Sequence, residues 1–221
     1  MTQSVEPVEH YKAAAAQAAA ALVSDGERVG LGTGSTVAHL LPALAARALD
    51  GVRYAATSPA TERAATALGL VVLPLDELGA LDTAIDGADQ IDPRGWLIKG
   101  GGAAQTREKI VAAAGRRFVV IASAEKAVPS LSAPVPVEIL CFGVRETLRA
   151  IAPAKLRECP PSPDGNLIAD YLGPIDDPQR LSAWLSATPG LVEHGLFPPE
   201  LVSDILIAGP DGLEHRRGSK P

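Results

Sequence analysis

Arg28-Val29-Gly30-Leu31-Gly32-Thr33-Gly34-Ser35-Thr36 decides the fold class. Four residues with strand character run into a glycine-rich turn. From about Thr36 to Ala48 the apolar Val37, Leu40, Leu41 and Leu44 recur at helical spacing. A strand, a tight turn and a helix form the opening half of a βα unit. Pro42 is the weak point of the helix, because it removes a backbone donor.

The pattern repeats outward. His10–Val23 is alanine-rich and reads as a helix. Strands are expected at Tyr54–Ala56, Leu70–Leu73 and Leu81–Ile85, and helices at Ala60–Leu68 and Thr106–Ala114. Phe118–Ala122 is apolar without alternation, as in a parallel strand covered on both faces. After about Val128 prolines cluster. There the chain reads as a smaller α/β unit, with helices near Val144–Ile151 and Pro178–Ala187, a hairpin through Asp164-Gly165-Asn166 and a strand at Leu191–His194. Ile205–Ala208 is expected to return to the main sheet, and the polar tail Glu214–Pro221 to fray.

Composition narrows the function. The 221 residues are 47 % apolar and 21 % charged, which suits a globular core. The net charge of −6 argues against a general nucleic-acid surface, so an anionic ligand needs a local pocket. No apolar run approaches the roughly 20 residues of a membrane span, and Glu6 and Glu9 do not suit a signal peptide. Cys141 and Cys159 read as reduced thiols of a cytoplasmic protein. His10, His39, His194 and His215 are scattered, with no zinc spacing.

Three segments carry chemistry. Thr33, Gly34, Ser35 and Thr36 open a helix, where backbone N–H groups and the helix dipole favour a phosphate. No lysine follows as in a P-loop, and no dinucleotide fingerprint is complete; a plain capped βα turn is the alternative. Asp86-Gly87-Ala88-Asp89 sets two carboxylates at a strand end, suited to sugar hydroxyls or proton transfer, or else to a solvated turn. Lys99-Gly100-Gly101-Gly102 presents a cation and amides, as an oxyanion site does, and Glu108 follows in the next helix. The plainer readings are a surface lysine, a flexible loop and a capping-box glutamate.

GTGST, DGAD and KGGGAAQTREK, in this order, resemble ribose-5-phosphate isomerases of the A type. ATSPATE at 56–62, IASAEK at 121–126, PVPVEI at 134–139 and PGLVEHGLF at 189–197 extend the likeness over nearly the whole chain. The resemblance implies an α/β fold: a Rossmann-like, mostly parallel catalytic domain over 1–130 and about 200–221, with a smaller α/β lid over about 131–199. It implies a homodimer or dimer of dimers, and a cofactor-free, metal-free interconversion of ribose 5-phosphate and ribulose 5-phosphate in the pentose phosphate pathway. Glu108 then matches the general base, Asp86 and Asp89 the carboxylates that hold hydroxyls and open the sugar ring, and Lys99 the active-site lysine. Thr33–Thr36, Gly87, Ala88, Gly100–Gly102 and Lys126 match substrate contacts, with Asp86 expected to open the ring. Gln90, Pro59 and Gln105 depart from the usual pattern without removing any of these groups.

Overall fold

The computed structural model describes residues 5–220. In chain order the first elements are α1 (Val5–Ala20), β1 (Arg28–Leu31), α2 (Ser35–Ala46), β2 (Arg53–Ala56), α3 (Pro59–Ala67), α4 (Leu75–Leu78) and β3 (Leu81–Gly87). Then come β4 (Gln90–Ile91), β5 (Leu97–Ile98), α5 (Gln105–Ala114), β6 (Gly115–Ser123), β7 (Val135–Ile139), α6 (Val144–Ala150) and β8 (Ala154–Leu156). The last are β9 (Leu167–Tyr171), α7 (Pro178–Ser186), β10 (Leu191–His194), β11 (Leu196–Phe197), β12 (Asp204–Gly209) and β13 (Gly212–Arg217).

The main sheet has the order β13-β12-β6-β3-β1-β2. All its neighbours pair in parallel except β12 and β13. Both faces are covered. On β6, Val119 and Ile121 pack with α1 and α2, while Phe118, Val120 and Ala122 pack with Val111 and Ala112 of α5. Alternate residues therefore enter two cores, which is why this strand shows no polar alternation. Ala15, Ala16, Ala19 and Ala20 are buried in the first core, where small side chains let α1 approach α2 and the sheet closely. Each fully buried Leu or Ile beneath them contributes roughly 1.5–3 kcal/mol.

A second, four-stranded sheet has the order β10-β7-β9-β8, all antiparallel. Its core includes Val135, Val137, Ile139, Ala169 and Leu185. A small antiparallel sheet has the order β11-β5-β4.

Several expectations change. The tail does not fray: Gly212–Arg217 is the antiparallel edge strand β13, paired along its length with β12. Asp204 holds it, accepting from His215 Nε2 at 2.6 Å and Arg217 Nη1 at 3.1 Å. Pro221, at the tail's end, lies outside the described residues. Leu70–Leu73 forms no full strand, only a bridge from Val72 to Tyr54. The α2 helix continues through Pro42, which sits on its exposed face, where water can serve the carbonyl that loses its donor. Pro59 and Pro178 occupy first-turn positions in α3 and α7, behind the N-caps Ser58 and Asp177.

Candidate active site

Strand order in the main sheet reverses at β1, with β2 on one side and β3 on the other. Ligands of open α/β sheets gather outside the carboxyl ends of strands at such a switch point. Here the ends of β1, β3 and β6 deliver Thr33, Asp86 and, one short 3₁₀ turn later, Lys126. A cleft of about 90 Å³ lies between them. Every residue named from the sequence lines it except Asp86.

Asp86 sits one layer beneath. Its Oδ1 accepts from Thr33 N at 3.1 Å and Gly87 N at 2.7 Å. A side chain at Gly32 would put its Cβ 1.9 Å from the Asp86 carboxyl, so the glycine lets that carboxylate pass under the loop. The loop is braced from behind: Thr33 Oγ1 is 2.8 Å from Thr57 Oγ1, and Thr61 Oγ1 donates to the Gly32 carbonyl at 2.9 Å. Gly34 ends the turn at φ +127° and caps α2 without a side-chain hydrogen bond, leaving the first-turn N–H groups facing the cleft residues.

Lys99 is the hub. Its Nζ lies 2.8 Å from Asp86 Oδ2 and 3.1 Å from Glu108 Oε2, and donates to the Gly87 carbonyl at 2.6 Å. All three charged side chains are buried. The Phe197 ring of β11 lies 5.5 Å from the Lys99 ammonium and 4.9 Å from that of Lys109. Burial works against the lysine's charge, but the two carboxylates outweigh it and raise its pKa. Burial, then the charge of Asp86, pushes the Glu108 carboxyl up to about 8, against the pull of Lys99. Burial also raises Asp86, and Lys99 and the two amides oppose it. Neither Asp86 Oδ2 nor Glu108 Oε2 has a well-aligned hydrogen bond, so ion pairing with Lys99 is their main compensation.

Glu108 is placed by its neighbours. Thr106 Oγ1 bonds Glu138 of β7, Arg107 forks onto Asp164 at 2.7–3.0 Å, and Lys109 donates to Glu193 of β10 at 2.7 Å. Three residues around the glutamate thus tether α5 to the second sheet and its connecting loop. Thr57, Thr61, Glu138, Glu193 and Phe197 lie in stretches that carry the likeness, and Asp164 in the Asp-Gly-Asn turn, but nothing in the sequence ties them to the cleft.

A family model for ribose 5-phosphate isomerase A (phosphoriboisomerase A) matches residues 53–212. The chain belongs to this family. A ribose-5-phosphate isomerase A from Roseiflexus sp. (strain RS-1) is 45 % identical over 219 residues, covering 92 % of this chain and 94 % of that one. A crystal structure of ribose 5 phosphate isomerase A from Neisseria gonorrhoeae superposes with a TM-score of 0.91 at 30 % identity, over 95 % of this chain and 96 % of the other. A D-ribose-5-phosphate isomerase in complex with phospho-erythronic acid gives 0.90 at 30 % identity, over 95 % and 99 %.

Within this isomerase family's fold, the cleft is small, polar and walled by amides. A larger cavity of about 640 Å³ lies behind α5, lined in part by Arg107, Glu138 and Asp164, and holds none of the groups gathered around Lys99. Among the described residues no group of three or more His, Cys, Asp or Glu is arranged to hold a metal ion. None of the described helices is long and apolar enough to cross a membrane.

Proposed function

We propose that this chain interconverts D-ribose 5-phosphate and D-ribulose 5-phosphate, with Glu108 moving a proton between C1 and C2 through a cis-enediolate. The observation that carries the reading is a buried carboxylate, paired to a buried ammonium, at a cleft lined by glycine amides and a helix N-terminus. A relative holds phospho-erythronic acid, a phosphorylated hydroxy acid, which supports the same ligand class here.

Each step has a group suited to it. The phosphate fits the N-terminus of α2, with the Ser35 and Thr36 hydroxyls and Lys126 at hand. A general base works best with a pKa near the operating pH, and burial lifts Glu108 from the ordinary carboxylate range toward neutrality. Lys99 and the glycine amides would meet the negative charge that develops on the enediolate oxygen, where one donor is typically worth about 3–4 kcal/mol. The family resemblance implies ring opening by Asp86. Asp89 lines the cleft while Asp86 lies under Lys99, so we assign ring opening to Asp89 and the orientation of Lys99 to Asp86.

The reaction belongs to the non-oxidative pentose phosphate pathway, and we infer a cytoplasmic homodimer from the family likeness; sedimentation of the purified chain measures the assembly. The test of the chemistry is Glu108→Gln. The amide keeps size and polarity but takes no proton. Substrate affinity should stay within a few-fold while turnover and solvent-deuterium incorporation at the substrate carbon disappear. Normal incorporation in this variant would falsify the assignment.

A further inference from the structure

Arg157 follows β8 in the second sheet and belongs to none of the motifs that mark the cleft. Asp170 of β9 fixes its guanidinium from behind, taking Nε at 3.1 Å and also Nη2. The forward edge points at the glycine loop. Nη1 donates to the Gly100 carbonyl at 3.0 Å and reaches the Gly101 carbonyl at 3.4 Å.

These contacts matter because of peptide geometry. In a trans peptide the C=O of one residue and the N–H of the next point in opposite directions. Holding the Gly100 carbonyl toward Arg157 turns the Gly101 N–H the other way, where it donates to Asp89 Oδ2 at 2.8 Å. Holding the Gly101 carbonyl does the same for the Gly102 N–H, and Gly101 and Gly102 both line the cleft. The loop has no side chains of its own to fix these planes, and Gly100 sits at φ +103°, where L side chains are disfavoured. The loop's own turn holds the Gly100 carbonyl through Ala103 N at 3.1 Å, and Arg157 adds an external brace that spans both carbonyls.

We propose that Arg157 is a positioning residue for the isomerisation. Paired with Asp170, it turns the Gly101 amide onto Asp89 and the Gly102 amide toward the cleft, so that a carboxylate and a donor are both preset for the substrate. The inference rests on the isomerase reading for its kinetic consequence alone; the amide orientation stands apart from it. A lysine cannot replace the arginine, because a point charge cannot fork onto Asp170 and brace two carbonyls together.

The experiment compares the wild-type chain with Arg157→Lys, Arg157→Gln and Asp170→Asn. It measures kcat and KM with ribose 5-phosphate, and amide chemical shifts and hydrogen exchange at Gly101 and Gly102. Both Arg157 variants should lose on the order of 100-fold in kcat, as misplaced catalytic groups do, with KM changed less than about three-fold. The Gly101 and Gly102 amides should shift and exchange faster while those of Val119–Ile121 stay put. Asp170→Asn should move the same two amides with a smaller kinetic loss, and it carries the test if an Arg157 variant fails to fold. Unmoved glycine amides, or a rise in KM with kcat kept, overturn the proposal. An inactive wild-type chain sinks the isomerase reading instead, and the amide measurements then decide the role of Arg157 alone.

Discussion

Lys99 Nζ lies 3.1 Å from Glu108 Oε2 and 2.8 Å from Asp86 Oδ2, so one buried cation is shared by two buried anions. Burial, and after it the charge of Asp86, raises the Glu108 carboxyl to about 8 against the pull of Lys99. The proton-accepting form is the ionised one. With free enzyme, kcat/KM should therefore climb with pH and level off above an apparent pKa well over that of an ordinary carboxylate, near 8. Asp86→Asn removes a like charge and should move the midpoint down. Lys99→Met removes the opposite charge and should move it up. A midpoint that stays fixed in both variants would show that the profile reports some other group.

The two cleft lysines should fail differently. Lys99 is buried against the base, placed to meet charge that appears only in the transition state. Lys99→Met should lower kcat and kcat/KM together. Lys126 lies half-buried on the cleft wall, beyond the end of β6, and suits a phosphate whose charge hardly changes during reaction. Lys126→Met should mainly raise KM, more so at low ionic strength, where the lost attraction is least screened. Steady-state kinetics at two salt concentrations checks this, and the reverse pattern would exchange the two roles.

Gln105 begins α5 fully buried, with neither amide atom hydrogen-bonded. A buried orphan amide costs roughly 1–3 kcal/mol. Gln105→Met keeps the length of the side chain and should raise the unfolding free energy by about that range, read from chemical denaturation. A fall in stability would show that a buried water pairs the amide.

Asp204 is buried at the start of β12 and accepts from Arg117 Nε at 2.6 Å as well as from His215 and Arg217. Those partners outweigh its burial and hold its carboxyl below the usual value. A carboxylate with a lowered native pKa stabilises the fold above its unfolded pKa of about 3.9 and loses that effect as pH falls through the native value. Asp204→Asn should cost on the order of 1–3 kcal/mol at pH 7, and the gap from wild type should narrow below about pH 4. A gap that is constant with pH would assign the loss to packing alone.

The parts of the site that lie within short motifs were legible because their chemistry is local. A glycine turn before a helix, carboxylates at a strand end and a lysine before three glycines each state their use in a few residues. Arg157, Glu138 and Glu193 were not legible, because their partners lie 32 to 84 residues away and only the second sheet brings them to α5 and the glycine loop. Val135–Ile139 hid for another reason. Pro136 stands inside an inner strand, where a missing N–H argues against such a reading. The tail looked frayed because Glu214, Arg216 and Arg217 are polar, yet polar residues are what an edge strand needs to resist pairing with other chains. Two-residue strands such as Gln90–Ile91 fall below any periodicity signal.

The placement of β6 between β3 and β12 has a consequence for synthesis. The cleft's own residues are all translated by Lys126, but the strand that completes the other side of β6 begins only at Asp204. A nascent chain in that interval carries Phe118–Ala122 as an apolar edge with unpaired backbone groups, beside a cleft already spelled out in sequence. Such an edge is a template for intermolecular pairing. Chains stalled or cleaved before Asp204 should therefore collect in aggregates, and the yield of active protein should depend on how quickly the ribosome releases its last two strands.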